Sequence, residues 1–330
     1  SGLITCTYTN TRIAQNLILA KQWTNAVNGH TATVTTTGST NNATFNSTST
    51  GNNLTTGTAV IVYAGDVVTL PAETFGGGAS ASDYNTTLAC TGGTTLSSGA
   101  VGRSITISNS TTATTCTYTN AKLPRLTLTK VSQGGVGTFN FTGDNGWTSQ
   151  NITTTVVGTG VSGATQVLSA SGVATTISET LPTGYELSDV VCSGMGVGGL
   201  VNIDYVFSSF TLNAAAIANG ENVSCTVTNI KTPTVKVRKT TLGGFGGGFG
   251  FNQTNLASTP ANITTTAINT PTPTVATAIN VVSTGNNVII TETPISGYVL
   301  TGASCTDANS AVTGNTGSIG SLVGNDLTIP

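Results

Sequence analysis

Apolar and polar positions alternate along this chain with a period of two. Stretches such as TATVTTT (31–37), AVIVYAG (59–65), SITIS (104–108) and NVIITET (287–293) put β-branched residues at every second position, the pattern of strands with one face in a core and one in water. Clusters of Gly, Asn and Ser separate them, and no stretch carries a convincing helical period. The pattern predicts an all-β chain.

A longer period lies over this one. Three strand phrases end in lysine, LILAK (17–21), LTLTK (126–130) and VKVRK (235–239), and successive lysines are 109 residues apart. A second phrase closes two of the blocks so opened, as TCTYTN at 115–120 and SCTVTN at 224–229. Blocks of this size can each bury a core, so they predict domains and not solenoid repeats. With about seven short strands to a block, the expectation is three β-sandwiches in series, at 11–120, 121–229 and 230–330. The third block stops at DLTIP (326–330) without a closing phrase, while TCTYTN stands at 5–10 with no block before it. Residues 1–10 are expected to be a last strand donated to the third domain of a neighbouring copy. The alternatives are a fold-back into the same chain's third domain and a window cut from a longer repeat polypeptide.

Composition narrows the function classes. Charged residues are only 7% of the chain and the formal net charge is −2, which gives no electrostatic reason to expect nucleic acid or an anionic membrane as a partner. No apolar run approaches the ~18 residues of a spanning helix, and the chain starts without Met or a signal peptide, as a processed protein or a cut segment does. There is one histidine, His30, read as a loop residue and no ligand, so no metal or cofactor is expected. Neither a Ser-His-Asp set nor an unmatched carboxylate pair is present to make a conventional enzyme.

The chemistry lies in the repeat. The chain has six lysines and five glutamates, and three of each fall at equivalent places: Lys21, Lys130 and Lys239 with Glu73, Glu179 and Glu292, followed by Asn120, Asn229 and Asn10 at the ends of the closing phrases. Period two puts each lysine behind two apolar residues on a core-facing side. A buried amine and a buried carboxyl are both driven toward their neutral forms. A neutral amine can then add to the Asn side-chain carbon while the protonated acid polarises the carbonyl and passes a proton to the departing ammonia. The product is an isopeptide bond, formed once per domain: Lys21–Asn120, Lys130–Asn229, and Lys239 to Asn10 of the next copy. The plainer reading is a buried ion pair with Asn as a hydrogen-bond partner.

These residues resemble the tandem CnaB-type, SpaA-like domains of prokaryotic surface proteins and pilins, which have a prealbumin-like fold. The matching features are the strand-one lysine, the phrases ETLPTGY (179–185) and ETPISGY (292–298), a degenerate ETFGGG at Glu73, and the terminal Thr-Asn at 119–120, 228–229 and 9–10. The resemblance implies self-catalysed isopeptide bonds with Glu73, Glu179 and Glu292 as the acids. It departs in one respect: LPRLT (123–127) and LPTGY (181–185) do not fit a sortase signal.

Six cysteines follow the same register. Cys90 with Cys116 and Cys192 with Cys225 pair within blocks, which leaves Cys305 for Cys6 of another copy. An even count without CxxC favours disulfides and an oxidising compartment, with buried free thiols as the alternative. The expected function is the subunit of an extracellular, cell-surface, pilus-like filament, whose partners are copies of itself joined head to tail. The alternative is a repeat segment of an adhesin or stalk that binds a glycan or host surface.

Overall fold

The computed structural model describes residues 2–308 and 317–330. Ser1 of the expected donor strand and residues 309–316 of the third block lie outside the described residues. The described elements are strands and a single 3-10 turn at Ala81–Asp83, arranged in several sheets along the chain.

In the first segment the lysine strand Ala14–Thr24 runs parallel to the closing strand Thr114–Lys122 on one edge. Its other edge pairs antiparallel with Asn53–Thr56 and Val60–Tyr63. Beyond the closing strand lies the cysteine strand Tyr84–Gly92, antiparallel to it. The second segment repeats the arrangement: Arg125–Gln133 sits between the parallel closing strand Asn222–Lys231 and the short strands Val161–Ser162 and Gln166–Val167, with Tyr185–Ser193 outermost. Since first and last strands run parallel, the chain enters a segment at one end and leaves at the other. Only Leu123 and Pro124 then separate the closing strand of the first segment from the lysine strand of the second.

Each segment has its own core cluster. Leu17, Leu19, Cys116 and Tyr118 belong to the first, Leu126, Leu128, Phe139 and Phe141 to the second, and Phe249, Phe251, Val288 and Ile290 to the third. The first also has a small aromatic core of Trp23 and Tyr84, with Phe75 packed against it.

The third segment is built differently along one line. Its lysine strand is in regular pairing only at Thr234–Val235, against Ile279–Asn280, with an isolated bridge from Lys239 to Thr272. Its cysteine strand is reduced to Cys305–Thr306, paired with Ser318–Ile319. Among the described residues, no strand pairs the edges of these two that a closing strand joins in the other segments. Burial follows the pairing: Leu17, Leu19, Leu126 and Leu128 are at most 1% exposed, whereas their counterparts Val235 and Val237 are half-buried. Residues 2–13 are in no strand, and every one is exposed. The apolar side chains of Leu3, Ile4 and Tyr8 are 94%, 85% and 91% exposed.

A buried lysine, acid and asparagine as candidate functional site

Strand register brings the first two triads together. Lys21 lies opposite Tyr118, so Asn120 is two residues further along the neighbouring strand on the same face. Lys130 lies opposite Val227, with Asn229 two further on. Given sheet spacings, that diagonal is about 8 Å between Cα atoms, within reach of a lysine side chain. All four side chains are in the core, Lys21 at 1% exposure and Asn120, Lys130 and Asn229 at 0%.

The acids come from the facing layer. Glu179 ends a buried strand, Thr175–Thr180, whereas Glu73 sits just before Thr74–Gly76, after Pro71 has interrupted the pairing of Val67–Leu70. Lys21 Nζ is 2.6 Å from Glu73 Oε1, and Lys130 Nζ is 3.3 Å from Glu179 Oε1. Lys130 Nζ also donates to the Val227 carbonyl at 3.0 Å.

Electrostatics and hydrogen bonding agree on an unsettled site. Burial pulls Lys21 and Lys130 down to about 8, against the opposing effect of their glutamates. Burial pushes Glu179 up from its ordinary value against the pull of Lys130. Both shifts lean toward the neutral forms, so the second pair gives up its charges more readily than a free lysine and a free glutamate would. Of thirteen buried side-chain polar atoms without an aligned hydrogen bond among the described residues, nine belong to these triads, including both amide atoms of Asn120 and Asn229, although Lys21 and Lys130 are in ion-pair contact with their glutamates and the Asn229 amide lies close enough to Glu179 to oppose the rise of its carboxyl. The 2.6 Å approach of Lys21 to Glu73 is a close contact without hydrogen-bond alignment. Each unpartnered buried polar atom costs about 1–3 kcal/mol, and native cores do not ordinarily concentrate them.

The third triad is open. Lys239 Nζ lies 2.7 and 2.8 Å from the two oxygens of Glu292, with both side chains 13% exposed. Asn10 is exposed and in no strand. Cysteines follow suit: Cys90–Cys116 and Cys192–Cys225 are bonded, at S–S distances of 2.07 and 2.08 Å, while Cys6 is exposed, Cys305 is half-buried and both are free.

Two recurring parts of the site escaped the sequence reading. Each lysine nitrogen lies over an aromatic ring: Lys21 over Trp23 at 4.6 Å, Lys130 over Phe139 at 4.5 Å and Lys239 over Phe249 at 4.5 Å. Each residue two past the lysine bonds a hydroxyl distant in sequence, through Trp23 Nε1 to Ser47 Oγ (3.0 Å), Ser132 to Thr154 (2.6 Å) and Thr241 to Thr265 (3.0 Å). The Phe positions recur at nearly the same offset in the last two segments, which is a readable signal; the change to Trp23 in the first hides it. His30, expected in a loop, precedes Thr31–Thr35 with Nδ1 2.7 Å from the Tyr84 hydroxyl. No group of side chains among the described residues could hold a metal ion, and no helix there is long and apolar enough to cross a membrane.

The sequence model of the prealbumin-like fold domain matches residues 126–231 and, a second time, 235–330. The chain belongs to this SpaA-type, prealbumin-like family. The first segment, outside those matches, has the same parallel pairing of first and last strands. No curated protein matches the chain significantly. Among solved structures, the C-terminal fragment of the pilus adhesin SpaC from Lactobacillus rhamnosus GG is similar at 14% identity, covering 68% of this chain and 100% of that one, with a TM-score of 0.26. A bacterial adhesin from Mobiluncus mulieris containing intramolecular disulfide, isopeptide and ester bond cross-links is 13% identical over 63% of this chain and 88% of its own, with a TM-score of 0.26. The major pilin from Streptococcus pyogenes is 12% identical over 68% and 99%, at 0.22.

Proposed function

We propose that this prealbumin-like chain is the structural subunit of an extracellular, cell-surface filament, built as three domains and assembled head to tail. The observation that carries the reading is a match between two parts of one chain. The third segment has a lysine strand and a cysteine strand with no closing strand paired to either among the described residues, and residues 5–10, identical to the closing strand at 115–120, are fully displayed. In the first segment that hexapeptide puts Cys116 opposite Cys90 and Asn120 beside Lys21. By the same register, residues 5–10 of one copy would put Cys6 opposite Cys305 and Asn10 beside Lys239 of another.

The covalent step is the same in each domain. Neutral Lys Nζ adds to the Asn side-chain carbon, the C–Nδ2 bond breaks, and the displaced nitrogen leaves as ammonia with a proton relayed through Glu73, Glu179 or Glu292. Core packing holds amine and amide together, supplying the effective concentration. Each site turns over once, so the chain is no enzyme in the ordinary sense. A head-to-tail contact that does not close on itself gives an open fibre.

The test is boiling the assembled protein in SDS with reductant, followed by intact mass and peptide mapping. A ladder of multimers with a peptide joining Lys239 to Asn10, and a loss of about 17 Da per bond, is expected. Monomer lacking ammonia at two sites would remove the intersubunit bond and leave the intradomain chemistry. Monomer at unmodified mass would reduce all three triads to buried ion pairs.

A further inference from the structure

The open edge of the third segment carries two charges that its counterparts lack, and their meaning rests on the donor-strand reading above. Lys236 and Arg238 alternate with the half-buried Val235 and Val237 and are exposed. At the same places in the other lysine strands stand Ile18 and Ala20, and Thr127 and Thr129. Those strands have both edges paired; this one is paired only toward Thr272 and Ile279–Asn280 among the described residues. Four of the ten basic residues of the chain fall within 231–239, and among the described residues neither Lys236 nor Arg238 takes part in an ion pair.

An unpaired edge bearing alternating valines is a template for pairing with its own kind. We infer that Lys236 and Arg238 make this edge selective, repelling the same edge of a second copy and admitting an uncharged strand such as residues 2–10. Antiparallel self-pairing centred on Val237 sets Lys236 of one copy opposite Arg238 of the other, and parallel in-register pairing sets like on like. Like charges directly opposed across strands are destabilising. The donor segment GLITCTYTN has no acidic or basic side chain, and the period of two turns Thr5, Thr7 and Thr9 to the face that carries the cations. The two charges thus cost nothing when the donor enters and act only against the wrong partner.

The test uses full-length chains whose donor cannot insert, through Cys6→Asp and Tyr8→Asp on its inward face. Sedimentation velocity in reductant at ~0.15 M salt should show this chain as monomer. Adding Lys236→Thr and Arg238→Thr, the residues of the second segment, should raise the dimer fraction at least tenfold. A Lys236→Glu/Arg238→Glu chain should be monomeric alone yet dimerise when mixed with the cationic chain, and salt near 1 M, where screening acts within ~3 Å, should dissolve that mixture. Self-association of the donor-blocked chain with both cations in place, or monomers in all mixtures, would overturn the inference. Failure of the donor-strand reading shows separately, as loss of the multimer ladder from the unaltered protein.

Discussion

Lys130 illustrates how burial prepares chemistry. Its amine is held to about 8 by desolvation, with Glu179 opposing, while burial raises Glu179. In an Asn229→Ala chain, where no bond can form, both groups remain titratable and the signs are opposite. Glu179 binds more protons folded than unfolded above its ordinary value of 4.5, so stability falls as pH rises through that window. Lys130 binds fewer folded than unfolded between about 8 and 10.5, so stability climbs there. Urea denaturation across pH should trace both limbs, and adding Lys130→Met should abolish the upper climb and, with the pull of Lys130 on the carboxyl gone, carry the Glu179 fall to higher pH. A second prediction concerns the acid: Glu179→Ala should stop ammonia loss from the second segment while the first still reacts, read as a difference of about 17 Da in intact mass. Removing one partner of a buried pair costs about 3–5 kcal/mol, so that variant should also unfold at distinctly lower denaturant.

At the scale of the element, the closing strand is the part on which each segment depends. It is central in its sheet, and Cys116 ties it to the cysteine strand across a separation of 26 residues. A Cys90→Ala/Cys116→Ala chain should lose about 3 kcal/mol by loop-entropy reasoning, seen as a lower midpoint in denaturation. The N-terminal segment begins where the chain leaves Arg12, whose guanidinium is 2.6 Å from Asp66 and bonds the Ala64 carbonyl at 2.7 Å. Burial pushes Asp66 upward, but hydrogen bonds from Thr40, Arg12 and the Tyr63 amide outweigh it and hold the carboxyl at about 2. Its folded value lies below the ordinary 3.8, so its stabilisation is complete above that and is lost as pH falls toward about 2. Asp66→Asn should flatten the acid limb of the stability curve over that window.

At the scale of the whole molecule, the segments differ in how fully their lysine strands are covered among the described residues. Parallel first and last strands set the entry and exit of a segment at opposite ends, so the proposed filament, with three domains of about 100 residues in line, predicts an axial repeat on the order of 100 Å in electron micrographs. A repeat near the width of one domain would rule out the in-line arrangement. Val235, Val237 and Lys239 are less buried than their counterparts because the strand that covers Leu17, Leu19 and Lys21 in the first segment has no equivalent among the described residues of the third.

Period-two alternation, the 109-residue recurrence of lysine and the repeated closing phrase were enough to read an all-β tandem fold and to single out lysine, acid, asparagine and cysteine at matched places. They suffice because a repeated fold must repeat whatever chemistry its core encloses, and spacing along the chain records that directly. Glu73 could be placed this way even though its phrase is degenerate. Contacts between strands that are distant in sequence were decided only by the tertiary structure: the aromatic ring under each lysine, the hydroxyl bond two residues past it, and the unpartnered amides of Asn120 and Asn229. Period two had already turned Lys236 and Arg238 away from the core; the tertiary structure decided which edge of VKVRK is left unpaired among the described residues. Sequence alone shows a strand with charges in it; pairing determines whether those charges lie on a covered sheet or guard an open edge.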